Sequence, residues 1–454
     1  MNWHAFLIGL LPEHFLLIGV VLLVIHAIFV DSGRGAAALS IAFVAGAAVC
    51  AAGLGLQGFE SEAFAGQLSV SAASSLGKAV VLVLALPVLV LARDDHGDGG
   101  PLYPLLLASL YGLVLMLGSD SFLTLFLGLE LMSLPVYVLV LLGARRALSA
   151  EAALKYVVLG GAATATLLMG ISLLYGQSGT LELGIFALAL ASNDPMAVTG
   201  AVLVLLAFFL KAAIVPFHTW APDAYEGSSV AITGYMAAIV KAGVLLAALR
   251  LFGEAALSQP MVQLLALLPL VSIVWGNLAA MRQDNLRRML AYSSIAHAGY
   301  LYLAFLGAGP GRFQSVLFYL LAYGVMTVLA FAAIPAHSED RQRDRLEQLK
   351  GLFHRQPFAA IVIGLAMLSL AGIPPLPGFI AKFLIFREVM ASGYTLIAVL
   401  GLVGSYLGIY FYLRLIQYMF MSPQAALVVG EAPPRSAAVV ASLLCLVPAV
   451  AVAV

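Results

Sequence analysis

Apolar stretches of about twenty residues recur along this chain from one end to the other, and few charges interrupt them. One helical crossing of a lipid bilayer needs about twenty apolar residues. Of the 454 residues, 63% are hydrophobic and 10% are charged, whereas a typical soluble domain is roughly 25% charged. A soluble protein of this composition could not cover its surface with polar groups. We therefore expect the chain to lie in a membrane.

The apolar pattern predicts an all-α integral membrane protein with about fourteen transmembrane helices. Glu13 precedes the first span and no Lys or Arg does, so this span is expected to stay in the protein and not to be a cleaved signal peptide. The predicted spans cover residues 14–30, 35–56, 70–92, 101–118, 121–143, 150–175, 196–225, 229–253, 260–280, 289–308, 313–335, 357–390, 394–419 and 436–454.

The distribution of Lys and Arg among the loops predicts the orientation. Loops after odd-numbered spans hold thirteen of these residues, among them Arg145, Arg341, Arg343 and Arg435, and the other loops hold about three. Basic loops stay on the cytoplasmic side of a membrane. With an even number of spans, both termini are expected on the opposite, periplasmic side.

Composition also excludes several classes of function. The 22 basic and 22 acidic residues balance, whereas nucleic-acid-binding proteins carry a clustered basic surplus. Cys50 and Cys445 are too few for a four-cysteine iron–sulfur or zinc site. The sequence contains neither a GxGxxG after a strand nor a GxxxxGK[ST] loop. We predict no catalytic, cofactor-binding or metal site in this chain, so any redox chemistry must lie in other chains.

Ionisable residues inside the predicted spans are the strongest pointer to function. Such a charge costs about 2.5–3.5 kcal/mol at the bilayer centre, and water-linked groups that gain and lose protons are what proton conduction requires. The candidates for a proton path are Glu130, Lys155, Lys211, His218, Lys241, His297 and Lys382.

Each candidate also has a structural interpretation. Lys155 follows Glu151 by four residues, so the two side chains can pair at the membrane edge. Lys78 and Arg414 can extend to the membrane surface. His297 can be a hydrogen-bonded core histidine. The remaining charges can form buried structural pairs, although the broken helices described next favour a common transport role.

Two predicted spans cannot be continuous helices. The segment FFLKAAIVPFHTWAPDAY places Pro216 five residues after Lys211, and SLAGIPPLPGFIAKFLIF places Pro377 five residues before Lys382. Prolines and glycines at these densities break a helix. Broken helices at matching places in two halves typically mark the ion path of a transporter. Spans 4–8 and 9–13 therefore predict two five-helix repeats, and the odd number of spans inverts the second relative to the first.

One further segment, AYSSIAHAGY, places Ser293, His297 and Tyr300 on one face of a helix. Tyr319 and Tyr323 share a face of the next predicted span. These faces can hold water or form plain interhelical hydrogen bonds, and the pattern leaves both open.

Several segments together resemble a known family, the subunit N family of bacterial proton-pumping NADH:quinone oxidoreductase (respiratory complex I). This family belongs to the antiporter-like membrane subunits, which also serve multi-subunit Na+/H+ antiporters. The resemblance is strongest from about residue 119 to 390. The matching segments are LTLFLGLELMSLPVYVL, EAALKYVVLGG, LKAAIVPFHTWAPDAYEG, AYSSIAHAGY and GIPPLPGFIAKF.

The resemblance implies roles for individual residues. Glu130 and Lys211 match the central acid–base pair of the family, and Lys241 matches the lysine that joins two half-channels. Lys155 matches a lysine that tunes the pair. Two further positions match as well. His218 corresponds to a bridging histidine, and Lys382 corresponds to the terminal lysine of the second half-channel.

The resemblance also implies an architecture, partners and a location. Residues 1–100 would form an amino-terminal three-helix segment, 101–253 and 260–419 the two inverted repeats, and 436–454 a carboxy-terminal helix. Partners would be the antiporter-like M subunit and the small K-, J- and A-type subunits in the bacterial inner membrane. NADH, FMN, iron–sulfur clusters and quinone would bind partner subunits. The alternative is a subunit of a multi-subunit Na+/H+ antiporter or a membrane-bound hydrogenase.

Overall fold

A computed structural model of the chain describes residues 3–30, 33–95, 101–143, 146–252, 256–307, 309, 311–334, 345–422, 439–443 and 445. The predicted carboxy-terminal span, 436–454, lies almost entirely outside these residues. The loop arginines at positions 145, 341, 343 and 435, which contribute to the predicted orientation, also lie outside them.

The amino-terminal part contains four helices and a short β-hairpin. The strands β1 (Ser61–Ala63) and β2 (Leu68–Val70) pair antiparallel, with Ser61 opposite Val70. The sequence did not predict this hairpin, which departs from the otherwise confirmed all-α architecture. The helices are α1 (Trp3–Gly9), α2 (Leu11–Phe29), α3 (Gly33–Leu56) and α4 (Ala72–Asp95).

The first predicted repeat begins with a tightly packed pair of helices and ends with a buried one. Its helices are α5 (Leu102–Gly118), α6 (Phe122–Leu141), α7 (Arg146–Ser178), α8 (Gly184–Ala191), α9 (Pro195–Ala212), α10 (Trp220–Gly227), α11 (Val230–Gly234) and α12 (Lys241–Phe252). A π-helical turn, Tyr235–Val240, joins α11 to α12. Together these three pieces make one span that the other helices enclose almost completely.

The described residues of the second predicted repeat form seven α-helices. Its elements are α13 (Gln259–Met281), α14 (Leu286–Leu303), α15 (Arg312–Ala332), α16 (Leu352–Arg355), α17 (Pro357–Ala371), α18 (Pro377–Ala391) and α19 (Thr395–Phe420). A 3-10 turn, Ala304–Leu306, extends α14, and another, Leu346–Leu349, precedes α16.

Eleven helices of the described part are long and apolar enough to cross a bilayer. Two shorter apolar helices, α5 and α17, occupy the places of the fourth and twelfth predicted spans. Thirteen predicted spans therefore have a counterpart, and the fourteenth falls outside the described residues. Val49, Leu154 and Leu396 are among the large apolar side chains that point outward, as expected for a surface that faces lipid.

Both predicted helix breaks are confirmed. Helix α9 ends at Ala212, with Ala213 in the left-handed region at φ 61°, and α10 begins only at Trp220. Helix α17 ends at Ala371 with Gly372 at φ 84°, and α18 begins at Pro377. Each break contains one cis peptide bond before a proline, at Val215–Pro216 and Pro374–Pro375. The chain therefore leaves regular helix at corresponding places in the two repeats.

Close contact between α5 and α6 fixes the helix that carries Glu130. A Cβ atom on Gly112 would lie 2.4 Å from the backbone nitrogen of Met132, and one on Gly128 would lie 2.7 Å from that of Met116. Only glycine allows the two backbones to approach so closely. The position of α6 in the bundle is thus set by two residues without side chains.

Candidate proton-transfer site

Glu130 and Lys211 meet inside the first repeat. Glu130 lies in the middle of α6, and Lys211 lies one residue before the end of α9. The Lys211 Nζ atom is 3.6 Å from Glu130 Oε1, and the two side chains are 6% and 21% exposed, respectively. The sequence predicted both residues, and the fold brings them together as an ion pair next to the first helix break.

Hydroxyl groups surround this pair. Thr164 on α7 donates a hydrogen bond of 2.5 Å to Glu130 Oε1. Lys211 Nζ lies 3.1 Å from Ser133 Oγ and 3.3 Å from Tyr137 Oη. These hydroxyl groups are uncharged and form hydrogen bonds with both Glu130 and Lys211. The pair can therefore gain or lose a proton and still keep hydrogen-bond partners.

The sequence analysis missed these three hydroxyl residues. Ser133 and Tyr137 follow Glu130 by three and seven residues, so the helical period alone places them on its face of α6. Thr164 belongs to another helix, and only the packing of α7 against α6 brings it to the carboxylate. Helical spacing would have revealed the first two residues but not the third.

Lys241 belongs to the first predicted repeat and contacts a helix of the second. It follows the π-helical turn directly and is 4% exposed. Its ammonium group donates to the backbone oxygen of Ser294 at 2.8 Å and also to the Ser294 hydroxyl. That hydroxyl in turn lies 3.2 Å from Tyr225 Oη on α10. Lys241 therefore connects a helix of the first repeat to α14 of the second.

His297 lies further along the same face of α14. Its Nδ1 atom is 2.8 Å from Tyr319 Oη, and its Nε2 atom is 3.3 Å from Tyr412 Oη. The Tyr412 hydroxyl also contacts Ser293 Oγ at 2.5 Å. The predicted polar face of α14 thus exists and forms a hydrogen-bond network in the core of the second repeat.

Lys382 lies beside the second helix break. Its ammonium group donates to the oxygens of Leu370 and Ala371 at 2.9 and 3.1 Å and contacts Ser405 Oγ at 3.2 Å. Leu370 and Ala371 are the last residues of α17, where a positive charge is favourable. The ammonium also lies 5.1 Å from the Tyr300 ring centre.

Two predicted residues lie away from this network. Lys155 is 43% exposed and forms ion pairs of 2.7 Å with Glu151 and Asp223, so the structural interpretation of the Lys155–Glu151 spacing is confirmed. His218 lies in the first break as predicted, and its Nε2 atom accepts a hydrogen bond of 3.0 Å from Trp275 Nε1. Within the described part of the chain, its Nδ1 atom has no hydrogen-bond partner.

Lys78 and Arg414 differ in whether their side chains reach the surface of the protein. Lys78 is buried and does not extend to the membrane surface, because its ammonium pairs with Glu13 at 2.6 Å. Arg414 is partly exposed and donates to Met281 O and Asp284 Oδ1. Sequence spacing could not reveal the Lys78–Glu13 pair, since 65 residues separate its members.

No group of three or more His, Cys, Asp or Glu side chains that could hold a metal ion occurs among the described residues. The assembled side chains are instead amines, a carboxylate, an imidazole and hydroxyls, which are suited to holding and passing protons.

Comparison with known proteins decides the family. Residues 119–408 match the family described as NADH:quinone oxidoreductase/Mrp antiporter, TM. NADH-quinone oxidoreductase subunit N of Pelobacter propionicus is 38% identical over 92% of this chain and 89% of its own length. The chain belongs to the NADH-quinone oxidoreductase subunit N family. The subunit N of Methylococcus capsulatus is 40% identical over 74% of this chain and 70% of its own length.

Solved structures agree with this assignment. A chain of respiratory complex I from Thermus thermophilus with bound aureothin matches with a TM-score of 0.82 and 35% identity, covering 97% of this chain and 96% of that one. A chain of the Mrp complex from Dietzia sp. matches with a TM-score of 0.85 over 100% of this chain and 95% of that one, but at 22% identity. The second match shows a shared fold only.

Proposed function

We propose that this chain translocates protons as a membrane subunit of NADH:quinone oxidoreductase and takes no part in the redox chemistry itself. The observation that carries the proposal is the Glu130–Lys211 pair beside one helix break. The buried Lys241 and its polar neighbours, and the buried Lys382 beside the second break, continue this arrangement. Membership of the subunit N family supports the assignment to this enzyme.

The proposed path begins at the ion pair of the first repeat. A change of charge in neighbouring subunits shifts the proton held between Glu130 and Lys211. The resulting change of charge acts on Lys241. Ser294, which accepts a hydrogen bond from Lys241, links this lysine to α14. Tyr300 of α14, whose ring centre lies 5.5 Å from that of His297 and 5.1 Å from the Lys382 ammonium, then connects this helix to Lys382. His218, in the first break, is the proposed bridge to water.

Lys155, which lies outside the network, has a proposed role at the edge of the path. Lys155 holds Asp223 and Glu151 at the surface of the chain, where a charge from a neighbouring subunit would act on it. Such an arrangement would tune the central pair without a direct contact. Proton transfer must be tightly coupled to the redox reaction, because moving each charge across the membrane changes the free energy by about 2.3 kcal/mol per 100 mV.

In this proposal NADH, FMN, iron–sulfur clusters and quinone bind partner subunits, and this chain supplies only proton-holding groups. Its neighbours are the antiporter-like M subunit and the small K-, J- and A-type subunits. The enzyme lies in the bacterial inner membrane, and both termini of this chain are on the periplasmic side. Residues 101–253 and 260–419 act as the two inverted half-channels, between the amino-terminal segment 1–100 and the helix 436–454.

The test is NADH-driven proton pumping in inverted membrane vesicles, with Lys211→Ala compared with the native complex at matched amounts of assembled enzyme. The proposal predicts that NADH is still oxidised while fewer protons move per NADH. A ratio equal to that of the native complex would show that Lys211 carries no protons. This subunit would then be a scaffold or would use another route.

A further inference from the structure

The amino-terminal helices contain a second buried ion pair that the proposed path does not use. Lys78 of α4 and Glu13 of α2 lie 2.6 Å apart, and their side chains are 2% and 5% exposed. Both are therefore less accessible than Glu130 of the central pair. Lys78 lies within the third predicted span, 70–92, where a charge is costly, and Glu13 lies at the edge of the first predicted span, in the first turn of α2.

The surrounding helices are shaped around the Lys78 amine. A Cβ atom on Gly118, at the end of α5, would lie 2.9 Å from Lys78 Nζ, so a larger residue there would crowd the ammonium. Glu13 lies in the first turn of α2, where a negative charge is stabilised by the helix dipole. Three helices thus contribute to this site.

Buried polar atoms at the site lack hydrogen-bond partners. Among the described residues, none bonds to Glu13 Oε2, to the Ser75 hydroxyl or to Nε2 of the adjacent His14. Ser75 precedes Lys78 by three residues and so shares its face of α4. Buried polar atoms in proteins are almost always bonded to protein or to ordered water. Glu13 Oε2 and the Ser75 hydroxyl can therefore each form a hydrogen bond to a water molecule beside the ion pair.

A purely structural role does not account for this arrangement well. Apolar side chains of similar volume often hold helices together as well as, or better than, a buried ion pair. A pair that served only to join α2 to α4 would be expected to satisfy both carboxylate oxygens. Here one oxygen is bonded to the lysine and the other is open, which is the arrangement required of a group that accepts a proton from one side and releases it on another.

We propose that Glu13 and Lys78 form a second acid–base pair that exchanges a proton during translocation. The proton moves from the Lys78 ammonium to the Glu13 carboxylate, which leaves a neutral amine and a carboxylic acid. The transferred proton lies on Oε1, so the carboxyl group rotates to present it to water on its open side. That water takes up the proton and leaves Glu13 as a carboxylate again, and another proton donated by water restores the Lys78 ammonium. This inference rests on the proposed function of the chain and adds a proton-holding site to the segment 1–100.

The test measures protons moved per NADH oxidised, in inverted vesicles that contain the full complex. Glu13→Gln keeps an oxygen for Lys78 to bond but cannot accept its proton, and Glu13→Asp retains the acid. Ser40→Ala is the matched control, because Ser40 is a buried polar residue of the same segment whose hydroxyl, among the described residues, bonds only to Ala36 O in its own helix. Lys211→Ala, measured in parallel, reports on the proposed function itself.

The inference predicts that Glu13→Gln lowers the ratio as far as Lys211→Ala does, that Glu13→Asp restores most of it, and that Ser40→Ala leaves it unchanged. A native ratio in Glu13→Gln, together with a lowered ratio in Lys211→Ala, would overturn the inference and leave the proposed function standing. Native ratios in both variants would overturn both.

If Glu13→Gln prevents assembly, the double variant Glu13→Gln/Lys78→Gln decides the question. It leaves no uncompensated charge in the membrane and keeps hydrogen-bonding groups at both positions. An assembled double variant with a lowered ratio supports the exchange of a proton at this site. An assembled double variant that pumps at the native ratio refutes it.

Discussion

The contact between Gly378 and Ser369 gives a sharp prediction about the second helix break. A Cβ atom on Gly378 would lie 1.8 Å from the backbone oxygen of Ser369 and 2.7 Å from its carbonyl carbon. To reach an ordinary contact of ~3.5 Å, the distance to that oxygen must grow by about 1.7 Å. Gly378→Ala must therefore push the start of α18 away from the end of α17.

The cost follows from the contacts that cross this gap. Overpacking of a rigid core typically costs about 1–3 kcal/mol. The hydrogen bond from Gly378 N to Ser369 Oγ, 3.1 Å long, would be lost at about 1 kcal/mol. Lys382 bonds to Leu370 and Ala371 across the same gap. We therefore expect a destabilisation of about 2–4 kcal/mol, together with a displaced Lys382 amine.

The assay compares the amount of assembled complex and the temperature at which this subunit aggregates in detergent. Gly364→Ala is the matched control, because it lies on α17 and its Cβ atom would meet only Phe420, at 3.9 Å. We expect Gly378→Ala to assemble less and to aggregate at a lower temperature, and Gly364→Ala to behave as the native chain does. Equal behaviour of the two variants would refute this account of the break.

Two further predictions concern hydroxyl groups of the network. Thr164→Val removes the hydrogen bond to Glu130, and bonds to charged groups contribute about 1.5–3 kcal/mol, so proton pumping should slow by about tenfold or more. Its control is Thr166→Val, whose exposed hydroxyl bonds only within its own helix. Tyr412→Phe breaks the link between α14 and α19 and should slow pumping by about tenfold, whereas Tyr410→Phe, at an exposed position, should pump normally. Vesicle pumping at matched assembly measures both effects, and equal rates in a variant and its control would contradict the prediction.

Local sequence was sufficient for the helices and their breaks. Apolar length placed the spans, and the prolines and glycines around Pro216 and Pro377 placed the interruptions between the correct pairs of helices. Helical spacing also predicted the polar face of α14, because residues three, four and seven apart must share a face. These features depend on neighbours in the chain, so the sequence contains them directly.

Contacts between distant segments could not be predicted from spacing. The Glu13–Lys78 pair joins residues far apart in the chain, so the sequence left open whether Lys78 extends to the membrane surface. Thr164 reaches Glu130 only because α7 packs on α6. The hairpin of β1 and β2 was missed because three-residue strands carry little periodic pattern. The ion pair and the Thr164 contact follow from tertiary packing, whereas the hairpin was missed because its strands are short.

The central claim is that the Glu130–Lys211 pair carries protons, and the double variant Glu130→Gln/Lys211→Gln tests it most directly. This variant removes both charges, leaves no unpaired charge in the membrane and keeps groups that can bond to Thr164 and Ser133. The measurement is the number of protons moved per NADH oxidised at matched assembly. The account predicts continued NADH oxidation with a lowered ratio, and a ratio equal to that of the native complex would contradict it.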